Sequence, residues 1–329
     1  MYTSDEILNK VNKYIEQLPY ERKPESLYAP IKYVLSLGGK RIRPTLMMLS
    51  YNLYQDNVEN ILPAACAIET YHNYTLLHDD LMDHAALRRG HQTVHVKWDA
   101  NTAILSGDSM LVTAYQQMLK PYQVMENPKA VIPVLDLFTE TALEIGEGQQ
   151  YDMDFENRMD VKEEEYIEMI RLKTSVLLAC AMKIGAILAD APEEDANNLY
   201  KFGELIGLAF QLQDDFLDVY GDTKIFGKAI GGDITSNKKT YMLINACNMA
   251  DDEQRKELSH WLSLKEFNAM EKIDAVTRLY NEMGIDRLAQ RKMEDYYEQS
   301  RKFLDAVNVP EDRKTELRKY AAQMMKRNY

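Results

Sequence analysis

The sequence predicts an all-α protein, a single domain over residues 1–329 folded as one bundle of mostly helices with its site between them. Three observations predict this. Only 14 Gly and 10 Pro interrupt the chain, and the residues that favour helices (Leu, Met, Ala, Glu, Lys) are abundant. Apolar residues recur at helical spacing along almost the whole length. No stretch of six or more residues alternates cleanly with β-branched enrichment.

The elements follow in order. Ile7, Val11, Tyr14 and Ile15 predict an opening helix that stops before Pro19. Tyr28 to Leu37 predicts a second, closed by Gly38-Gly39. Pro44 stands in the first turn of a third, where proline is tolerated. Ile61 to Met82 reads as one long helix. Further helices are expected at 102–120, 129–155, 162–189, 194–220, 238–249, 251–260, 264–283, 285–305 and 310–327. Thr174 to Ala189 is apolar apart from Lys183, too short and too charged to span a bilayer, and reads as a buried helix. No internal repeat or low-complexity segment is visible.

The formal charge of −13 argues against nucleic acid as a partner, because phosphate backbones select basic surfaces. Cys66, Cys180 and Cys247 are far apart and form no CxxC, as expected of incidental thiols in a reducing compartment. Residues 1–25 carry charges throughout and no apolar segment, so no N-terminal signal is read and a cytoplasmic protein is expected.

Two carboxylate clusters carry the chemistry. Asp79-Asp80-Leu81-Met82-Asp83 is a DDxxD pattern, and Asp214-Asp215-Phe216-Leu217-Asp218 is a second. On a helix, Asp79 and Asp83 share a face about 6 Å apart along the axis, as do Asp214 and Asp218. Carboxylates so placed suit magnesium, which keeps several waters and takes one or two carboxylates plus substrate phosphate oxygens. One such pattern in an acidic protein is commonly a solvated helix face. Two copies, each directly after an apolar helical run, point to metal binding. Three basic segments stand out against the acidic background: Gly38-Gly39-Lys40-Arg41-Ile42-Arg43-Pro44, Leu87-Arg88-Arg89-Gly90, and Phe226 to Asp233 followed by Lys238-Lys239-Thr240. Each alone reads as a helix cap with surface charge; together they offer the cations that a diphosphate needs.

GGKRIRP, LLHDDLMDHAALRRG, GEGQQYDMD, Lys173-Thr174, FQLQDDFLDVYGD and GKAIGGDITSNKKT, taken in this order, resemble the trans-isoprenyl diphosphate synthases, or polyprenyl synthetases. The resemblance implies the isoprenoid synthase fold, mostly antiparallel helices around a deep apolar cavity, and a homodimer. It implies magnesium-dependent joining of isopentenyl diphosphate to an allylic diphosphate, with three Mg2+ ions when substrate is bound. It places Lys40, Arg43, His72 and Arg89 around isopentenyl diphosphate. Arg88, Lys173, Lys228 and Lys238 fall around the allylic diphosphate, with Gln211 beside them. Lys238 is preferred to Lys239, which falls on the variable position of its motif. Asp79, Asp83 and Asp214 match the direct metal ligands, while Asp80, Asp215 and Asp218 match positions that hold metal-bound waters. Thr174 and Gln211 are candidates for stabilising the allylic cation.

The resemblance also makes the helix before Asp79 the determinant of product length. Thr75 shares the face of Asp79, whereas Tyr74 and Tyr71 lie about 7.5 and 12 Å below it along the axis. An ideal helix turns Tyr74 away from Asp79, so its place as a floor rests on the resemblance. The uninserted DDLMD with its aromatic favours geranylgeranyl diphosphate, then farnesyl diphosphate. Three rival readings share some motifs. A His-Asp phosphohydrolase leaves the second DDxxD unexplained; a terpene cyclase of the same fold usually lacks cations such as Lys40, Arg43 and Arg89; a silent synthase subunit usually loses one aspartate cluster.

Overall fold

The computed structural model describes residues 1–123, 128–221 and 230–326. Its helices are α1 (Ser4–Glu16), α2 (Glu25–Ser36), α3 (Ile42–Asn52), α4 (Leu62–Met82), α5 (Val94–Lys97), α6 (Ala100–Met118), α7 (Val131–Glu156), α8 (Glu163–Ile170), α9 (Val176–Leu188), α10 (Glu193–Tyr220), α11 (Gly232–Thr235), α12 (Tyr241–Met249), α13 (Asp252–Ser263), α14 (Ala269–Met283), α15 (Ile285–Ala306) and α16 (Glu311–Met325). The all-α expectation holds. Among the described residues the one sheet is a two-stranded antiparallel hairpin, β1 (Leu87–Arg88) with β2 (His91–Gln92). The helical reading passed over it because two-residue strands carry no periodicity; Arg89 (φ 54) and Gly90 (φ 77) make its turn. No described helix is long and apolar enough to cross a membrane.

Two compact units emerge, Met1–Phe138 with Cys180–Leu199 and Asn308–Arg318, and Thr139–Ala179 with Tyr200–Val307 and Lys319–Tyr329. In the first, α4 packs against α3 and α6, and α6 against α2. Helix α4 can be enclosed because its early turns, Ala64 to Ile68, are small or apolar on every side and fully buried. The end of α9 docks on α3: Ser50 Oγ donates to the Met182 carbonyl at 2.6 Å, and a Cβ at Gly185 would stand 2.2 Å from the Met47 carbonyl oxygen. Only glycine permits that approach.

The core of the second unit takes Leu205, Leu208, Leu212, Phe216 and Val219 from one stripe of α10, with Tyr166 and Met169 of α8, Tyr241 and Ile244 of α12, and Leu279 and Tyr280 of α14. Each buried Leu contributes roughly 1.5–3 kcal/mol, an upper figure for a compact unfolded chain. The charged positions of α10 fall between these apolar ones.

One expectation is corrected here. Residues 162–189 do not form an unbroken α-helix: Arg171–Ser175 is a π-turn between α8 and α9. A Cβ at Gly148 of α7 would sit 2.3 Å from the Lys173 backbone nitrogen, and one at Gly207 of α10 would sit 2.7 Å from the Ser175 Cα. The turn swells into space that these two glycines leave open. π-Bulges of this kind are rare in helices and are frequent at functional sites.

Candidate active site

In the first unit, the GGKRIRP segment forms a sharply bent entry to α3. Gly38, Gly39 and Arg41 have φ of 75°, 141° and 48°. Gly39 is favoured by its φ, and a Cβ there would also meet the Arg89 guanidinium at 2.9 Å, so that side chain would have to shift. The bend leaves Lys40 exposed and puts Arg43 in the first turn of α3, where the helix dipole also favours anions. Arg89 Nη1 donates to the Gly38 carbonyl, which ties the hairpin to this loop. Arg43 Nη1 lies 3.2 Å from His72 Nε2. Desolvation, then the charges of Arg43, Arg89, Arg88 and Arg41, hold the His72 imidazole well below its ordinary pKa. A neutral ring can accept from Arg43. The structure thus gathers Arg43, His72 and Arg89 around one loop with Lys40 on it.

Asp79 and Asp80 lie in the last turn of α4, and Asp83 caps its end, its N–H donating to the Asp79 carbonyl at 2.9 Å. Arg88 Nε donates to both oxygens of Asp80, at 2.8 and 2.7 Å, and Arg88 Nη2 is 3.7 Å from Asp79 Oδ2. Burial pushes the Asp80 carboxyl up from its ordinary value, and Arg88 opposes it. Below these groups Tyr71 is buried, its ring edge-on to those of Tyr74 at 5.4 Å and Phe138 at 5.3 Å. Thr75 turns its hydroxyl back onto the helix, donating to the His72 carbonyl at 2.8 Å.

In the second unit a chain of hydrogen bonds runs along α10. Thr174 of the π-turn donates to Gln211 Oε1 at 3.1 Å, and Gln211 Nε2 donates to Asp215 Oδ1 at 3.0 Å. The buried Tyr166 hydroxyl donates to Asp215 Oδ2. Burial, reinforced by Asp233, pushes the Asp215 carboxyl up to about 7, although Lys238, Tyr166 and Gln211 pull it down. Lys173 Nζ bonds Asp152 Oδ2 at 2.6 Å. Burial raises the Asp152 carboxyl, but the charges of Lys173 and Lys238 outweigh it and its pKa is lowered. Asp218 Oδ2 accepts from the Asp233 N–H at 2.8 Å, and its carbonyl accepts from the Gly231 N–H at 2.6 Å. Asp214, half-exposed on α10, is one turn from Asp218. Lys239 points at backbone carbonyls of Glu156 (3.3 Å) and Asn237 (3.2 Å), while Lys238 is exposed. Lys228 lies outside the described residues.

A family model described as polyprenyl synthetase matches residues 24–282. The chain belongs to the polyprenyl synthetase family. It is similar to the geranylgeranyl diphosphate synthase of Methanosarcina mazei, with 39% identity over 99% of this chain and 98% of that protein. It is also similar to the geranylfarnesyl diphosphate synthase of Natronomonas pharaonis, with 40% identity over 72% of this chain and 73% of that protein. A crystal structure of a geranylgeranyl pyrophosphate synthase superimposes with a TM-score of 0.91 at 38% identity, covering 100% of both chains. The all-α fold is therefore the isoprenoid synthase fold of this family, and the protein is a prenyltransferase of a magnesium-dependent family.

The donor chemistry of this polyprenyl synthetase fits magnesium. The candidate ligands Asp79, Asp83 and Asp214 offer hard carboxylate oxygens and no sulfur. Among the described residues no cluster of three or more His, Cys, Asp or Glu could hold an ion by itself. Carboxylate oxygens suit magnesium, an ion that shares its shell with substrate phosphates and water. Four residues in contact with the candidate site were not singled out from sequence. Asp152 sits in GEGQQYDMD, and its pairing with Lys173 needs the fold. Tyr166 lies among ordinary helical residues, and Asp233 sits in GKAIGGDITSNKKT, where its contact with Asp218 needs the fold. Glu69 offered a signal, as the one acid in the apolar stretch Leu62 to Tyr71.

Proposed function

We propose that this polyprenyl synthetase joins isopentenyl diphosphate to an allylic diphosphate, giving a short all-trans prenyl diphosphate, geranylgeranyl first and farnesyl next. The observation that carries this reading is the pair of DDxxD motifs on α4 and α10, each with cations from its own unit nearby: Arg88 at Asp79 and Asp80, and Lys238 acting on Asp215. Asp79 and Asp83 on α4, and Asp214 on α10, would be direct magnesium ligands, and Asp80, Asp215 and Asp218 would hold metal-bound waters, with three Mg2+ ions expected when substrate is bound. Bound magnesium neutralises charge on the leaving diphosphate. Arg88, Lys173, Lys228 and Lys238 bind the allylic diphosphate, and Lys40, Arg43, His72 and Arg89 bind isopentenyl diphosphate.

The allylic carbon–oxygen bond breaks with its electron pair going to the diphosphate. The double bond of isopentenyl diphosphate attacks the cation so formed, and the departed diphosphate takes the proton released. No dedicated protein base is needed. Thr174 and Gln211 present oxygen dipoles to the cation, and apolar surroundings keep water from it. Tyr71 and Tyr74 limit the length of the growing chain. Residues 1–329 act as one polyprenyl synthetase domain in a cytoplasmic homodimer. The exposed stripe Leu105, Val112 and Leu119 on and just after α6 supports the dimer, because it repeats every seven residues.

Product analysis tests the reading. Purified protein receives magnesium, labelled isopentenyl diphosphate and, separately, dimethylallyl, geranyl or farnesyl diphosphate, with Asp79→Ala as control. Products are dephosphorylated and sized. Elongation that ends at twenty carbons agrees with the geranylgeranyl assignment, and fifteen favours farnesyl. No incorporation from folded, magnesium-loaded protein would refute the synthase reading.

A further inference from the structure

Helix α14 carries a charge where its own periodicity calls for an apolar residue. Its buried positions are Lys272, Val276, Leu279 and Tyr280, the core stripe of an amphipathic helix. Lys272 is fully enclosed, with 0% of its surface exposed. A buried ammonium in the first turns of a helix is disfavoured twice, by desolvation and by the helix dipole. Desolvation accordingly lowers its pKa. A methionine would fill the same space without either cost.

The partners of Lys272 indicate why a cation stands there. Nζ donates to Asn237 Oδ1 at 2.7 Å and to the Thr235 carbonyl at 3.4 Å, and it lies 4.1 Å from the centre of the Phe267 ring. None of these is a carboxylate. Asn237 has φ 55°, a left-handed conformation that asparagine tolerates, and its Nδ2 donates to the Leu262 carbonyl at 3.1 Å. Both ends of its amide are therefore engaged. The other end of the segment hangs from Asp218, through the N–H groups of Gly231 and Asp233. One residue past Asn237, the Lys238 N–H donates back to the Asp233 carbonyl at 2.9 Å. The backbone that leads to Lys238 is thus suspended between the second carboxylate motif and the ammonium of Lys272.

We propose that Lys272 is a positioning residue for the allylic diphosphate: acting through Asn237, it sets the backbone of residues 235–238 and so aims Lys238. The inference rests on the assignment of Lys238 to that diphosphate. A buried cation kept at a core position for this purpose trades stability for the geometry of a neighbouring loop, which gives it a signature that a structural lysine lacks.

Lys272→Met, Asn237→Gly and Lys238→Ala are compared with the parent protein by steady-state kinetics and thermal melting. Glycine keeps the left-handed backbone at 237 and removes the whole amide, both the Oδ1 that accepts from Lys272 and the Nδ2 that donates to the Leu262 carbonyl. Losing an oriented charge-assisted hydrogen bond should raise KM for geranyl diphosphate about tenfold in Lys272→Met and in Asn237→Gly, with KM for isopentenyl diphosphate moving less than about twofold. The melting temperature of Lys272→Met should stay level or rise. If Lys238→Ala raises KM for geranyl diphosphate but Asn237→Gly and Lys272→Met do not, the positioning role is refuted and the site assignment survives. If Lys238→Ala leaves that KM unmoved, the assignment falls and takes the positioning role with it. Should Lys272→Met fail to fold, Asn237→Gly decides alone.

Discussion

Arg41 and Glu69 form an ion pair at 2.6 Å with both side chains 3% exposed, between the left-handed entry to α3 and the middle of α4. Arg41 Nη2 also donates to the Leu35 carbonyl at 2.7 Å, and Asn73 Nδ2 donates to Glu69 Oε1 at 3.0 Å. Arg41 Nε also donates to Asn12 Oδ1 of α1 at 3.5 Å, so the pair ties α1, α2 and α4 to the loop that presents Lys40 and leads to Arg43. Removing one charge strands the other in a dry environment. Glu69→Ala should therefore cost about 3–5 kcal/mol in urea unfolding, and Arg41→Met a similar amount, while the double variant Arg41→Met/Glu69→Leu should recover much of the loss. Single losses near zero would mean the pair is open to water.

The π-turn at Arg171–Ser175 depends on two glycines from other helices. A methyl group at Gly148 meets the backbone of Lys173 at 2.3 Å, and backbone cannot swing aside as a side-chain tip can. Gly148→Ala should lower stability by about 1–3 kcal/mol or more and displace Lys173 from Asp152. KM for the allylic diphosphate should rise in step with the fall in melting temperature. An alanine variant with parental melting and kinetics would show that the turn adapts freely.

Tyr71 and Tyr74 should differ in what their loss does. Tyr71 is 2% exposed and wedged between Tyr74 and Phe138, so Tyr71→Ala should cost about 3–5 kcal/mol as a large cavity opens. Tyr74 is less enclosed. Tyr74→Ala should fold and release longer products from the same primers. Chromatographic sizing that finds an unchanged product would remove Tyr74 from the determinants of length.

His72 links stability to pH. Its folded-state pKa lies well below the ordinary 6.5, so the unfolded chain takes up the proton more readily. The stability this group contributes is present above about pH 6.5 and is lost as the pH falls from there towards the folded-state value. Urea midpoints measured down through this window should decline, and His72→Gln, which cannot titrate, should flatten the decline. An identical pH profile in the two proteins would assign the effect to other groups.

Much of this was legible in the residues. The stripe Leu205, Leu208, Leu212 and Phe216 predicts α10 and places Asp214 and Asp218 one turn apart without reference to any other part of the chain. Pro44 and Gly38-Gly39 likewise mark the start of α3 and the bend before it. These features are local: helix periodicity and turn chemistry act over three to eight neighbouring residues, and the sequence displays them directly. The order of motifs from GGKRIRP to the second DDxxD also sufficed to suggest the family.

What the sequence by itself determined, then, was a helical chain with two carboxylate pairs at magnesium-like spacing and three basic segments. Tertiary structure alone decided which cation meets which carboxylate: Arg88 on Asp80, Lys173 on Asp152, Arg41 on Glu69. It alone turned Arg171–Ser175 into a π-turn and put the ammonium of Lys272 beneath Asn237. The physical reason is separation along the chain. Each of these contacts joins segments that no periodicity relates, and its energy depends on burial and distance, which exist only once the helices have packed.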